Sequence, residues 1–138
     1  MKKLRLFCSL VVLLSLSLLS ACSQGDRAAV DDLLSQRSIA LKTKDLDQYQ
    51  GLIADDYHAL GRTKTDVVGD MQNLFLQFDA IEMQTYNRHI HLVDDMHAAC
   101  EQNYTLRVLS DGDWRNLTRK EQLFLEKKEG VWKIVSGL

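Results

Sequence analysis

Proline is absent from the 138 residues, so no turn of this chain depends on a proline ring. Also missing are a glycine-rich phosphate loop, an HExxH helix and a CxxC pair, each of which indicates a specific chemistry. Basic residues are slightly outnumbered by acidic ones, since the chain has 17 lysines and arginines and 19 aspartates and glutamates. A mildly acidic chain lacks the basic surface that nucleic-acid binding requires, so we expect no nucleic-acid partner.

The start of the chain is typical of an export signal. Lys2, Lys3 and Arg5 form a basic beginning, and residues 6–25 contain no charge. The dense apolar part, residues 10–19, has the short length of a signal-peptide core. An uncleaved anchor is the alternative, because about 20 apolar residues can span a bilayer. In both cases the basic start stays in the cytoplasm and the rest of the chain lies outside it.

The apolar stretch ends in Leu19-Ser20-Ala21-Cys22, which resembles the lipobox of bacterial lipoproteins. In that class the cysteine thiol receives a diacylglycerol and the chain is cleaved before the cysteine. The resemblance implies a signal peptide over 1–21, a lipidated Cys22 with a short tether over 22–25, and one domain over 26–138. The domain would be held at a membrane of the bacterial cell envelope. Ser23, where an aspartate would favour the inner membrane, points to the outer membrane facing the periplasm.

Cysteine usage predicts a mature chain without an internal disulfide. Cys8 leaves with the signal and Cys22 carries the lipid, so Cys100 remains alone. Because Cys100 lies on the apolar face of a predicted strand, we expect a buried and inert thiol. Loss of the signal also takes the net charge from −2 to −5.

Helical patterns occupy the first half of the domain. Residues 26–44 repeat apolar residues at helical spacing, Asp45 opens a shorter helix with Gln48 as its capping-box partner, and a third helix begins at Thr65. The apolar side of the third helix consists of Val67, Val68, Met71, Leu74, Phe75 and Phe78. Each segment is amphipathic, so each is expected to pack one face on a common core.

Strand patterns occupy the second half. Ile81 and Met83 place apolar residues at odd positions, whereas Ile90 and Leu92 place them at even positions. One strand cannot change parity without an extra residue, which predicts a β-bulge near Asn87. The segments "SDGD" (110–113) and "KKEG" (127–130) predict two tight turns, so four long antiparallel strands follow the helices. Helices grouped before an antiparallel sheet indicate an α+β domain with the helices on one face.

Two segments carry a resemblance to a known fold family. "LIADDYHALG" (52–61) follows the second helix and "GVWKIVSG" (130–137) forms the last strand. With the first helix, they make residues 26–138 similar to the NTF2-like superfamily, in its SnoaL-like or DUF4440-like branch. The resemblance implies a cone in which three N-terminal helices pack in a curved four-stranded antiparallel sheet with additional short strands. It also implies a pocket at the open end and, as in many members, a homodimer through the outer sheet face.

Catalytic members of that superfamily place an aspartate, often with tyrosine or histidine, in an apolar pocket. Asp55, Asp56, Tyr57 and His58 occupy the region where the second helix delivers the chain to the cone. Tyr57 and His58 are therefore candidate ligand contacts. We prefer the alternative of a solvated acidic turn followed by one core tyrosine, and catalytic residues stay unassigned.

A pair of histidines raises the question of a metal site. His89 and His91 lie two apart on a predicted strand and so share a face, near Asp94 and His97. Ile90 alternates with them and is expected to face the core, which places both histidines on the outer face. We therefore predict no metal site and no cofactor.

The long strands supply the remaining candidates for a ligand site, which are Tyr86, Arg88, Tyr104, Arg119 and Glu121. Tyr104 shares its parity with Cys100 and is expected to face inward. An inward Arg119 paired with Glu121 would be a functional feature. The alternative is that sheet twist carries both to the solvated rim.

The sequence leaves three hypotheses for function. The first is a membrane-anchored, non-enzymatic domain that binds a small apolar ligand or a protein partner. The second is an isomerase or hydrolase of the SnoaL-like type that uses an aspartate or histidine of the pocket. The third is a dimeric structural component of an envelope assembly.

Overall fold

The computed structural model describes residues 23–138 with their side chains, so the predicted lipid attachment at Cys22 lies outside the described side chains. The elements in chain order are α1 (Lys2–Thr43), α2 (Leu46–Gly51), β1 (His58–Ala59), β2 (Arg62–Thr63), α3 (Lys64–Gln77), β3 (Ala80–Leu92), β4 (His97–Ser110), β5 (Asp113–Lys128) and β6 (Val131–Ser136). Residues 23–25, assigned to a tether by the sequence, are part of α1. Within residues 23–138, no helix is both long and apolar enough to cross a membrane.

The four long strands form one antiparallel sheet in the order β3-β4-β5-β6, and β1 and β2 form a separate short hairpin. Both predicted turns are confirmed. Asp111 and Gly112 join β4 to β5, and Glu129 and Gly130 join β5 to β6. All four have φ between 51° and 83°, the left-handed pair that matches the twist of a two-residue hairpin. The α+β class predicted from the sequence is therefore confirmed.

The bulge predicted near Asn87 is also confirmed. The register of β3 against β4 shifts between Tyr86 and His89, and Asn87 has a φ of 53°. Because of the extra residue, odd-numbered side chains such as Met83 face the core before the bulge, and even-numbered side chains such as Ile90 face it after the bulge. It also bends the sheet, as bulges do, around the helices on its concave face.

The helix starts follow the capping residues. Asp45 accepts a hydrogen bond from the Gln48 backbone N–H at 2.8 Å, as predicted. The Gln48 side chain does not return to the cap but donates to Gln36 on α1, so only half of the predicted capping box forms. The third helix begins at Lys64, one residue before the prediction, because Thr63 and Asp66 form a complete capping box.

The core lies between α1 and the concave face of the sheet. Its most buried members include Val30 and Leu34 of α1 and Cys100, Leu123 and Ile134 of the sheet. The short α2 is tied to the last strand, since Ile134 N–H donates to Leu52 and Ala54 N–H donates to Ile134.

Strand β5 extends well beyond its neighbour β6 at one end of the sheet. In the described sheet, β6 pairs with residues 124–128 of β5, whereas β4 accompanies β5 along its whole length to Asp113. Residues 111–120 are all exposed. The projecting half of β5 therefore forms one side of the open end of the cone.

Candidate functional site

A buried ion pair crosses the interior from α1 to β5. Arg37 donates from Nη1 to Glu121 Oε1 at 2.8 Å and from Nη2 to Oε2 at 3.2 Å. Each side chain is 9% exposed. Gln102, which lies opposite Glu121 on β4, donates from Nε2 to the same Oε1 at 2.6 Å. Both carboxylate oxygens thus accept hydrogen bonds, and the charge is neutralised by a two-point contact.

Arg88 continues this network to the surface. Its Nε donates to Gln102 Oε1 at 2.7 Å, and its Nη1 donates to Asp31 Oδ1 at 2.8 Å. Arg88 turns inward because it follows the bulge at Asn87, which reverses the parity of β3. The result is a continuous chain of polar groups from exposed Asp31 through Arg88 and Gln102 to the buried pair.

The sequence interpretation missed Arg37, the centre of this network. Arg37 lies four residues after Leu33 and four before Leu41, both of which are buried, so it belongs to the inward stripe of α1. That spacing was the available signal. An arginine in an apolar stripe needs an acidic partner, and Glu121 supplies it from 84 residues away.

A cleft of about 480 Å³ opens beside the pair at the mouth of the cone. Polar and charged side chains make up most of its lining, including Arg37, Arg62, Tyr104, Arg119, Lys120 and Glu121. Tyr49 forms part of its inner wall. Burial raises the pKa of the Tyr49 phenol, and this effect is larger than the lowering caused by the positive charge of Arg37.

The cations of the cleft differ in how they are neutralised. Arg62 pairs with Asp70, and Lys120 pairs with Glu101 at 3.0 Å. Among the described residues, Arg119 makes a 3.3 Å hydrogen bond to the Thr118 carbonyl and forms no ion pair with a carboxylate within 4 Å. Arg119 therefore gives the cleft a guanidinium whose charge is not neutralised. It sits directly opposite Tyr104 across the β4–β5 ladder.

The Nε of Arg37 differs from the other donors of this ion pair, because it has no acceptor within the described chain. The atom is buried and has no hydrogen-bond partner among residues 23–138. Buried donors of this kind are rare, because leaving one without an acceptor costs about 1–3 kcal/mol. Arg37 and Arg119, which both line the cleft, thus carry N–H groups that have no acceptor among the described residues.

Two sequence candidates are placed away from the cleft lining. The Tyr57 side chain is buried, and its hydroxyl donates to the Leu138 carbonyl at 3.0 Å while accepting from the Leu138 N–H at 2.8 Å. His58 is exposed on β1. Tyr57 thus acts as the core tyrosine of the preferred interpretation, holding the last strand in place.

The adjacent acidic residues are solvated. Asp55 pairs with Lys64 at 2.8 Å and Asp56 pairs with Lys128 at 2.8 Å. The hydrogen bond from Lys64 lowers the pKa of Asp55, and that from Lys128 lowers the pKa of Asp56. Both are exposed at a depression of about 660 Å³ on the outside of the domain. Neither has the desolvated environment that would raise its pKa toward neutrality.

The strand candidates divide between the two faces of the sheet. Tyr86 lies on the outer face and is exposed, because the parity of β3 reverses only after it. Arg88, Tyr104 and Glu121 lie inside or at the mouth. The Arg119–Glu121 pair considered from the sequence does not form, since Glu121 is taken by Arg37 and Arg119 lies further toward the rim.

The other groups that could supply chemistry are outside the cleft or inert. His58, His89, His91 and His97 are all exposed. Within residues 23–138, no group of three or more histidines, cysteines or carboxylates is placed to hold a metal ion. Cys100 is fully buried, and this burial raises the pKa of its thiol to about 11. The lining of the described cleft therefore contains neither a histidine nor a cysteine.

Comparison with solved structures shows the same architecture. A candidate scytalone dehydratase from Novosphingobium aromaticivorans aligns with a TM-score of 0.74 and 14% identity over 86% of this chain and 85% of its own. A hexachlorocyclohexane dehydrochlorinase from Novosphingobium barchaimii aligns with a TM-score of 0.73 and 14% identity, over 86% and 87%. A candidate dehydratase of the NTF2-like family from Streptomyces avermitilis gives 0.71 and 11%, over 83% and 94%. At these identities the similarity establishes the fold alone.

The family model for the SnoaL-like domain matches residues 30–137. No curated protein sequence matches the chain significantly. The matched range contains Arg37, Gln102 and Glu121, and it runs from the buried part of α1 to the end of β6. The chain therefore belongs to the SnoaL-like domain family and has the NTF2-like fold.

Proposed function

We propose that this chain is a lipid-anchored envelope protein whose SnoaL-like domain binds a small molecule with an anionic group in the cleft at the mouth of the cone. The observation that carries the proposal is Arg119, a guanidinium that lines the cleft and forms no ion pair with any carboxylate of the described residues. A planar guanidinium presents paired N–H donors that match a carboxylate or phosphate group.

The lining favours a polar ligand over the purely apolar one expected from the sequence. Arg62, Tyr104, Arg119 and Lys120 surround the opening, and Val67 and Leu138 are the main apolar contributors. A wholly apolar ligand would desolvate these groups without giving them partners, which costs binding free energy. An anionic head with a short apolar body satisfies both parts of the lining.

Binding is favoured over catalysis by the state of the buried acid. Glu121, the carboxylate of the buried ion pair, already accepts three hydrogen bonds, which use three of its roughly four acceptor positions and hold it against Arg37. A general base needs a lone pair within reach of the proton that it removes. Asp70, at the rim, is exposed and paired with Arg62. Although several similar structures are described as dehydratases or dehydrochlorinases, an isomerase or hydrolase that uses a pocket aspartate or histidine finds little support in this lining.

The anchor is supported by the sequence Leu19-Ser20-Ala21-Cys22, which follows a basic start and an apolar stretch. Lipid on that cysteine would hold the domain outside the cytoplasm, and Ser23 favours the outer membrane. Two or three acyl chains on one residue make a stable anchor, whereas a single chain binds only marginally.

The test is native mass spectrometry of the full-length lipidated chain, extracted in detergent from its own envelope. We compare the wild type, Arg119→Gln and the matched control Arg115→Gln, which lies four residues away on the same face of β5 but outside the cleft lining. A bound small anion in the wild type and the control, reduced several-fold in Arg119→Gln, supports the proposal. Equal occupancy in all three proteins contradicts it. A dimer with no bound small molecule favours the structural hypothesis.

A further inference from the structure

The described domain has one end that lies next to the predicted lipid. Asp26 receives a hydrogen bond from Trp132 Nε1 at 3.1 Å and pairs with Lys127. On the other side of α1, Arg27 donates to the Ile90 carbonyl at 2.7 Å. These contacts place the first described turn of α1 level with the end of β3, the end of β5 and the start of β6.

Two sheet turns lie at this end. The first connects β3 to β4 (residues 93–96) and the second connects β5 to β6 (residues 129–130). They are adjacent, because Lys127 N–H donates to the Met96 carbonyl at 2.8 Å and Lys128 pairs with Val131. With strands about 4.8 Å apart, Met96 and Val131 are separated by roughly 10 Å.

Three exposed apolar residues lie in the first turn or directly after the second. Val93 is 62% exposed, Met96 48% and Val131 56%. We call these three residues the anchor end. Single exposed apolar residues are ordinary on a protein surface, but a group of three at one end is not explained by the core.

Hydrogen bonds hold the backbone of the first turn, which carries two of the three apolar side chains. Asp94 accepts hydrogen bonds from the N–H groups of Met96 and His97, at 2.7 and 2.8 Å, and also contacts the His97 ring. Val93 N–H donates to the His97 carbonyl at 2.9 Å. The hydrogen bond from the Met96 N–H is the leading cause of the lowered pKa of Asp94, which keeps this carboxylate ionised and the turn closed.

The short segment between Cys22 and Asp26 indicates what covers the anchor end. Ser23, the first residue whose side chain is described, is in α1, only three residues from Asp26. At 1.5 Å per helical residue, Cys22 is about 6 Å along the chain from Asp26. We infer that the anchor end rests on the same bilayer that holds the lipid on Cys22. This inference rests on the lipid attachment in the proposed function.

The charged residues around the anchor end limit how deeply it enters the bilayer and which lipid head groups it contacts. Asp95 and Glu129 lie at the tips of the two turns and are exposed. A carboxylate is costly in hydrocarbon, so the contact is shallow and the three apolar side chains reach the boundary between head groups and acyl chains. The same acidic residues favour a zwitterionic surface over an anionic one.

The test uses spin labels on the full-length lipidated chain in phosphatidylcholine vesicles. Val93→Cys, Met96→Cys and Val131→Cys are labelled one at a time, and Leu117→Cys serves as the matched control. Leu117 is 42% exposed and lies roughly 36 Å along β5 from Lys128. Cys100 is fully buried and Cys22 carries the lipid, so neither competes for the label. The measurement is the ratio of collision with oxygen, which enters lipid, to collision with a water-soluble nickel complex.

The inference predicts an oxygen-to-nickel ratio several-fold higher at all three anchor-end positions than at Leu117. Equal ratios at the four positions overturn it. Exclusion of both reagents from the anchor end also overturns it and indicates a protein occupant. Mass spectrometry of each preparation separates the two proposals: lipidated Cys22 with water-exposed labels contradicts only the membrane contact, whereas unmodified Cys22 contradicts the anchor as well.

Discussion

Arg37 and Glu121 are 84 residues apart in sequence and form a two-point ion pair that joins α1 to the concave face of β5. Because both side chains are 9% exposed, removing one partner leaves a charge buried without its counterion. We expect Arg37→Met to lower the free energy of unfolding by about 3 kcal/mol or more. Urea denaturation followed by circular dichroism measures this change.

Two controls separate burial from charge pairing. Arg62→Met breaks the exposed Arg62–Asp70 pair and should cost less than about 1 kcal/mol. The double variant Arg37→Met/Glu121→Leu removes both charges and should be less destabilised than the sum of the two single variants. Equal losses for Arg37→Met and Arg62→Met would show that the buried pair has no special role.

Gly137 is required by its backbone conformation and by its neighbour. Its φ is 104°, and a Cβ at this position would lie 2.1 Å from the Gln122 carbonyl oxygen. Gly137→Ala should push the end of the chain off β5, break the contacts of Tyr57 with Leu138 and lower the melting temperature. Gly69→Ala, in α3 with open space around its Cβ, should instead stabilise the domain by about 0.5–1 kcal/mol. Thermal unfolding of both variants tests whether the two substitutions change the melting temperature in opposite directions.

Burial of Cys100 makes stability depend on alkaline pH. Desolvation raises the pKa of the thiol from 9.0 to about 11 in the folded chain. Between these values the unfolded chain loses a proton that the folded chain keeps, so stability falls as the pH rises, by up to about 1.4 kcal/mol per pH unit. Lysines and tyrosines titrate in the same range, so the measured quantity is the difference between wild type and Cys100→Ala. An unchanged difference from pH 8 to pH 11 would contradict the buried position.

Asp26 links the start of the described domain to the sheet. Hydrogen bonds from Lys127 and Trp132 lower its pKa below the ordinary 3.8. Its stabilising contribution is therefore present above pH 3.8 and is lost as the pH falls through the lower folded value. Asp26→Asn should lower the melting temperature at pH 7 and have less effect at pH 3. Asp32→Asn, on the exposed side of α1, is the control and should have little effect at either pH.

The fold could be predicted from local patterns because each pattern has one physical cause. The change of parity between Met83 and Ile90 requires one extra residue, and the bulge at Asn87 supplies it. Asp111-Gly112 supplies the two left-handed residues that a tight hairpin needs. These features depend on neighbours in sequence, which are visible without coordinates.

The candidate site was less accessible from the sequence, because its contacts join distant residues. Arg37 was missed because a charged residue within an amphipathic helix is usually solvated, and only the position of Glu121 on β5 reveals its partner. Tyr86 was a candidate ligand residue, but the bulge begins after it and leaves it on the outer face. Arg119, a candidate ligand residue from the sequence, lines the cleft, whereas Glu121, the partner considered for it, is paired with Arg37.

The central claim is that lipid on Cys22 holds a SnoaL-like ligand-binding domain at a bacterial membrane. Intact-mass spectrometry of the chain purified from the membrane fraction of an expressing bacterium tests it most directly. We predict a polypeptide of residues 22–138 with a diacylglyceryl group on Cys22, and loss of both processing and radiolabelled palmitate in Cys22→Ala. A chain that still begins at Met1, or one that carries no lipid and leaves the membrane fraction, would contradict the claim.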